Sequence, residues 1–240
     1  MAFMDFTDEQ ILKEKISDDL SVLGRLYKAK SSKFQEWNVD HSLVEELLKK
    51  GWEEYGKPLK TKTRLRKPKS HGRQLEDDIW CQLYKLGYRC LNVSGDFNLP
   101  FGNSTVEKKR IDVIAINADS ILLVQCRSAE KPSKPPSFKS EFETLRQRMV
   151  GHKKALEQLF GRDRKVKYIL ATRNLRMSRE NTDAKRLADA GGFLYNDNAY
   201  NYVDSLLRSY RNAAHYQFMA VLFKGQDINK NKIEVPAIKG

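Results

Sequence analysis

The sequence predicts an α/β fold, a mixed sheet flanked by helices with a helical extension at the N-terminus. Three observations predict it. Two apolar, β-branched runs, 111–116 and 121–126, flank the polar tetrapeptide Asn117-Ala118-Asp119-Ser120, which marks a β-hairpin. Helical stripes lie on either side, over 76–84 and 141–160, and another apolar run follows at 167–172. Helix, hairpin, helix, strand, helix in that order fits one layered sheet.

Taken in order, Ile11, Leu12, Ile16, Leu20, Leu23 and Leu26 predict one amphipathic helix within residues 1–30, with Thr7 and Gln10 as a capping box. Leu43, Val44, Leu47 and Leu48 mark a second helix, capped by Asp40 and ended by Gly51, against which Trp52 and Tyr55 pack. Residues 59–67, L-K-T-K-T-R-L-R-K, alternate as a strand would, placing Lys60, Lys62, Arg64 and Arg66 on one face with Lys67 following. After a linker at 68–72, Glu76, Ile79, Trp80, Leu83 and Tyr84 form a helical stripe ending near Gly87. A strand at 88–93 and a loop at 95–109 lead to the hairpin, and prolines within 128–136 end it. The helix at 141–160 turns Phe142, Leu145, Met149, Leu156 and Leu159 inward and carries Arg146, Arg148, Lys153 and Lys154 outside. A strand at 167–172, a helix at 179–190, a short strand at 192–195 and a last helix at 199–215 complete the order. The expected division is 1–70 for the N-terminal helices and basic strand, 71–215 for the layered domain, and 216–240 for a tail or the start of a further domain.

Lys and Arg outnumber Asp and Glu by 44 to 31, a formal charge of +13 and a pI near 9.5. That excess points to a polyanionic partner, nucleic acid first. From Lys57 to Arg73 there are eight cations and no acid. On one face of a strand they recur about every 6.6–6.8 Å, roughly two phosphates of rise along a DNA strand. Lys108, Lys109 and Arg110 add a second basic run where the chain enters the hairpin. The bland alternative for 59–67 is a solvated edge strand protected by charge. No apolar run approaches the roughly 20 residues of a membrane span, and the acidic N-terminus lacks the features of a signal peptide, so the expected location is cytoplasmic. Cys81, Cys90 and Cys126 are odd in number with no C-x-x-C pair, which argues against both a disulfide framework and a zinc site.

Chemistry concentrates at one end of the hairpin. If the four polar residues form the loop, Ile116 pairs with Ile121, and counting outward sets Asp112 opposite Gln125. Arg127, two residues on, shares that face. An acid, an amide oxygen and a cation converging on an apolar ribbon suit a metal and phosphate site.

The arrangement resembles the PD-(D/E)xK nuclease superfamily, in which an Asp on one strand and a (D/E/Q)-x-K on the next hold a divalent metal beside the scissile phosphate. Asp112 matches the first motif and Gln125-Cys126-Arg127 the second, with Gln in the position where Mrr-type restriction endonucleases also carry it. The chain departs from the pattern at Arg127, where the family has Lys. Glu76 matches an acidic residue that members supply from the helix before the sheet, with Asp77 and Asp78 as near competitors. The resemblance implies a restriction-endonuclease-like fold and Mg²⁺ or Mn²⁺ held by Asp112, Gln125 and Glu76, the Cys126 carbonyl completing the set. Arg127 would stabilise charge on the phosphoryl oxygens but cannot act as a base.

Several ordered blocks, L-L-K-K-G-W at 47–52, L-R-K-P-K-S-H at 65–71, L-E-D-D-I-W-C-Q-L-Y-K-L-G-Y at 75–88, K-R-I-D-V-I-A at 109–115 and V-P-A-I-K-G at 235–240, resemble the nuclease-like N-terminal region of DGQHR-domain proteins. Those are ParB-like bacterial proteins related to the regulator of DNA sulfur modification. Their usual E-C-K-x-x-E-K differs here at Gln125 and Arg127 and matches at Cys126, Glu130 and Lys131. The resemblance implies a DNA-transacting bacterial protein active in defence against foreign DNA, with a DGQHR domain beyond Gly240 in a longer chain.

Three readings follow. The first is a metal-dependent DNA endonuclease with Asp112, Gln125, Arg127 and Glu76 as its catalytic residues, for which double-strand cutting would call for a homodimer. The second is a degenerate nuclease fold that binds DNA and cuts nothing. The third keeps Asp112 and Arg127 as an ordinary cross-strand ion pair.

Overall fold

Local signals start and stop the N-terminal elements, and the sheet edge decides where they break. The computed structural model describes residues 3–57, 59–103, 105–177, 181–210 and 213–224. Asp5, not Thr7, caps α1 (Phe6–Glu14) by accepting from the Asp8 N–H. The single helix expected over 1–30 is broken by β1 (Ile16–Ser17), after which Asp19 caps α2 (Leu20–Lys30). The break has a tertiary cause, because Ile16 and Ser17 pair with Asn92 and Leu91 and extend the main sheet.

Next come β2 (Phe34–Asp40), a 3₁₀ turn (His41–Leu43), α3 (Val44–Lys49), β3 (Glu53–Glu54) and β4 (Lys62–Pro68). They form a three-stranded antiparallel sheet in the order β2-β4-β3, so the basic strand is central and not an edge. Gly51, at φ 80°, ends α3 as expected, whereas Asp40 makes no side-chain cap. Trp52 packs on Trp37, and Tyr55 donates to Glu36 of β2.

The main layers follow. Ser70 caps α4 (His71–Lys85), and Gly87, at φ 98°, lies just past its end. After β5 (Cys90–Asn92), the stretch expected as loop holds a hairpin of β6 (Phe97–Pro100) and β7 (Lys108–Ile111). β8 (Val113–Ile116) and β9 (Ser120–Ser133) form the predicted hairpin, Ile116 facing Ile121 and Val113 facing Val124 as counted. β9 runs on through Pro132 because β10 keeps pairing with it, while its β8 side has no ladder partner beyond Val124 among the described residues. The long helix of 141–160 is two, α5 (Lys139–Glu143) and α6 (Leu145–Phe160). β10 (Lys165–Leu175), α7 (Thr182–Asp189), β11 (Phe193–Tyr195), α8 (Asp197–Tyr210) and α9 (Ala213–Lys224) complete the chain order. α9 crosses the boundary expected at 215 and places Phe218 and Leu222 in the core.

The main sheet has the order β1-β5-β8-β9-β10-β11, antiparallel up to β9 and parallel from β9 to β11. This is the mixed α/β sheet flanked by helices that the sequence predicts. Strand alternation sorts the core. Leu122, Val124 and Cys126 face α4, α8 and α9 together with Trp80, Val203 and Phe218. Ile121 and Leu123 face α5 and α6 with Phe142, Leu145 and Leu156. Gln125 and Arg127 follow that second parity, so the polar end of the hairpin opens toward α5. No helix among the described residues is long and apolar enough to cross a membrane.

Candidate functional site

Asp112 is the joint between two sheets: Ile111 closes the β6–β7 hairpin and Val113 opens β8. Its N–H donates to the Val124 carbonyl at 3.1 Å, which extends the ladder one step and sets it beside Gln125. Asn92, at the end of β5, locks this joint, its amide donating to the Asp112 carbonyl at 3.2 Å and accepting from the Ile114 N–H at 3.1 Å. Sequence reasoning missed Asn92. The signal was there, a polar residue closing an apolar strand.

The Asp112 side chain is 6% exposed, its Oδ2 hydrogen-bonded and its Oδ1 facing Arg110. Oδ2 accepts from Gln125 Nε2 at 2.5 Å and from the Cys126 N–H at 2.8 Å. Arg127 Nη1 lies 3.9 Å from the same oxygen and donates to the Cys126 carbonyl at 2.9 Å. Arg110 Nε lies 3.3 Å from Oδ1, and its Nη2 reaches Glu76 Oε1 at 3.2 Å. The expected Asp112, Gln125, Arg127 and Glu76 therefore come together, with Arg110 between the two acids.

The three consecutive acids of α4 point to different partners. Glu76 faces Arg110 and Arg73, Asp77 is held by Lys30, Lys69 and Arg73, and Asp78 pairs with Arg173 at 2.6 Å. Of the competitors, Glu76 alone faces the hairpin end. Burial pushes its carboxyl above the usual range, Asp112 pushes it further, and Arg110 and Arg73 pull it back. Burial, reinforced by Asp112, pushes the Cys126 thiol up, so it is neither thiolate nor nucleophile at neutral pH.

Glu141, on α5, is a second residue that sequence reasoning missed. Its Oε1 lies 3.7 Å from Arg127, 3.8 Å from Arg148 and 4.0 Å from Lys109. Nothing in the helical stripe of 141–160 distinguishes it from a surface acid.

Whether a divalent metal fits is decided by the donors. Gln125 Oε1 is buried without a hydrogen-bond partner among the described residues, as an oxygen awaiting a cation would be. The rest of the expected set is committed elsewhere. Both Asp112 oxygens are engaged, the Cys126 carbonyl accepts from Arg127, and a guanidinium stands between Asp112 and Glu76. Among the described residues no three His, Cys, Asp or Glu side chains are grouped to hold a metal ion. The residues do not fit a resident Mg²⁺ or Mn²⁺ in this arrangement. The charge that answers both carboxylates is arginine.

The basic strand keeps its alternation only in part. Lys62, Arg64 and Arg66 lie on one face of β4, while Thr63 and Leu65 are buried on the other. Lys60 precedes the strand, and Lys67 has the other parity and donates to the Lys50 carbonyl at 2.6 Å, closing α3. Arg66 pairs with Glu53 at 2.7 Å and stacks 4.5 Å from the Phe34 ring. Lys60, Lys62 and Arg64 make no ion pair among the described residues. In the second basic run, Lys108 pairs with Asp8 at 2.6 Å, Lys109 reaches Glu141, and Arg110 belongs to the site.

No protein-family model matches the sequence, and no curated protein matches it. Among solved structures, Can2 from Sulfobacillus thermosulfidooxidans, solved in complex with cyclic tetra-adenylate, is similar over 88% of this chain at 11% identity and a TM-score of 0.29. Protein VC1899 from Vibrio cholerae is similar over 88% at 12% identity and a TM-score of 0.30. The chain spans 57% and 58% of those two chains, and likeness at this level bears on neither activity nor ligand.

Proposed function

We propose that the chain binds the phosphate backbone of nucleic acid, DNA first, at the end of the β8–β9 hairpin, in a nuclease-like arrangement held by arginine. The observation that carries this reading is the pair of guanidiniums over a buried acid. The Arg110 and Arg127 side chains are 51% and 33% exposed, whereas that of Asp112 is 6% exposed. An approaching phosphate meets the planar donor forks before it meets the carboxylate. Arg73, Lys109 and Arg148 approach the same acids, so five cations face the three acids Glu76, Asp112 and Glu141. Lys60, Lys62 and Arg64 extend the phosphate contacts outside the site.

Binding of a labelled duplex across a salt series tests it. Arg127→Gln and Arg110→Gln should each weaken binding about fivefold to tenfold and make it less salt-dependent. Affinity unchanged in both variants would sink the reading.

A second reading, metal-dependent phosphodiester hydrolysis, is favoured by the partnerless Gln125 Oε1 beside an intact Asp112. It requires Arg110 and Arg127 to turn away from the acid. With it stand the bacterial defence role, the cytoplasmic location, the homodimer and a DGQHR domain in a longer chain. Supercoiled plasmid incubated with Mg²⁺ or Mn²⁺ discriminates: nicking abolished by Asp112→Asn supports hydrolysis, and binding without nicking supports the first reading.

A further inference from the structure

A further concentration of positive charge lies away from the hairpin. Between α2, β2 and α4 there is a cavity of about 760 Å³ whose wall carries Arg25, Lys28, Lys30, Lys69 and Arg73. Two acids of the wall oppose these five cations, Glu36 and Asp77. Asp77 is 1% exposed and takes Lys30 at 2.7 Å, Lys69 at 2.8 Å and Arg73 at 3.4 Å. Burial pushes the Asp77 carboxyl up, but the charge and hydrogen bonds of Lys30, then Lys69 and Arg73, bring it below its ordinary value. Glu36 accepts from Tyr55 at 2.9 Å.

The five cations do not have equal tasks. Lys69 is 4% exposed at its side chain and also donates to the Ala29 and Lys30 carbonyls, so it closes α2. Lys30 gives one hydrogen bond to Asp77, which leaves donors free. The Arg25 and Lys28 side chains are exposed and make no hydrogen bond or ion pair among the described residues, although, after the Ser21 and Val22 hydrogen bonds, the Arg25 charge helps to hold the Asp19 carboxyl low. The wall carries five cations and two carboxylates, and although Arg73 also answers Glu76 of the hairpin site, a positive surplus remains around a concave space, with Leu26, Phe34 and Val93 as its apolar wall. Cavities of about 300–1,000 Å³ with an apolar lining and a few convergent polar groups are typical ligand sites. Positive charge gathered in a concave space favours a ligand with several negative charges close by, and linked phosphates have that chemistry.

We propose that this cavity binds two or more linked phosphates, with Arg25, Lys28, Lys30 and Arg73 as the contacting groups. The phosphates belong either to a free nucleoside triphosphate or to a single strand that continues from the hairpin end. Only the strand case rests on the function proposed above. Arg73 belongs to both places, since it pairs with Glu76 of the hairpin site at 3.4 Å and with Asp77 of the cavity.

The test uses the full chain and two probes, adenosine triphosphate and a single-stranded oligothymidylate of about 12 nucleotides, titrated by calorimetry at low salt. Arg25→Glu/Lys28→Glu reverses the two exposed, unpaired cations without touching the Asp77 cluster, and its melting temperature checks that it folds. The expected result is a loss of about tenfold or more in affinity for at least one probe. Arg127→Gln, at the hairpin site, reports on that site separately. A loss confined to the triphosphate identifies a free nucleotide, and a loss for the oligonucleotide identifies the strand. Oligonucleotide binding weakened by Arg127→Gln but not by the double variant, with triphosphate binding also unchanged in the double variant, overturns the cavity and keeps the hairpin site. The reverse keeps the cavity and overturns the hairpin reading. Equal affinities of the native chain and the double variant for both probes, or no binding of either, overturns the proposal.

Discussion

At Asp112 one carboxylate satisfies an amide, a backbone N–H and two guanidiniums, so its charge and its shape have separable roles. Asp112→Ala strands the Cys126 N–H and the Gln125 amide in a buried place and should cost about 2–4 kcal/mol, read as a lower urea midpoint. Asp112→Asn keeps an acceptor and removes the charge. Because Asp112 raises the Glu76 carboxyl, Asp112→Asn should lower the Glu76 pKa toward its ordinary value, visible as an earlier carboxyl titration by NMR. An unchanged titration would mean that burial alone sets it. His152 makes a different test. It is 1% exposed, donates Nδ1–H to the Pro100 carbonyl at 2.8 Å, and burial pulls its pKa from 6.5 to about 4, the Pro100 bond opposing and Arg148 and Lys109 adding to the fall. With the folded value below the unfolded one, the stabilisation is complete above about pH 6.5 and is lost as pH falls toward about 4. The native chain should lose about 2 kcal/mol more than His152→Gln between neutral pH and about pH 5, compared by denaturant unfolding.

Elements place these residues by packing at close range. α6 lies on the turn after β6 so tightly that a Cβ on Gly151 would come within 2.6 Å of the Phe101 backbone, where no flexible side chain can yield. Gly151→Ala should therefore lower stability by about 2 kcal/mol or more despite alanine's better helix propensity, with a matching drop in melting temperature. A rise in melting temperature would show that the helix stands farther off. α4 shows the opposite economy, one helix turn sending three neighbouring acids to the hairpin, to α2 and to β10. Periodicity foretells that α4 is helical and amphipathic. It does not foretell which acid faces which partner, because Glu76, Asp77 and Asp78 span a wide arc and neighbouring elements assign each its cation.

For the whole molecule, the charge of +13 is distributed between the hairpin end, β4 and the cavity beside α2. If about five phosphates are neutralised, duplex affinity should fall about 10²- to 10³-fold between roughly 50 and 200 mM salt. Lys62→Gln/Arg64→Gln should reduce the slope of that log–log plot by about 2, and a slope unchanged by this variant would remove β4 from the binding surface. The sequence by itself determined the α/β class, the hairpin, its register, and hence the meeting of Asp112, Gln125 and Arg127. Those follow from strand alternation and a four-residue loop, which act over short separations. Tertiary structure alone decided that residues 16–17 join the sheet, that β4 is central, that β6 and β7 pair, and that Glu141 belongs to the site. It also decided that Arg110 bridges Glu76 and Asp112. Each depends on contacts between segments far apart in the chain, where one guanidinium or one ladder bond outweighs the local preference that the residue types express.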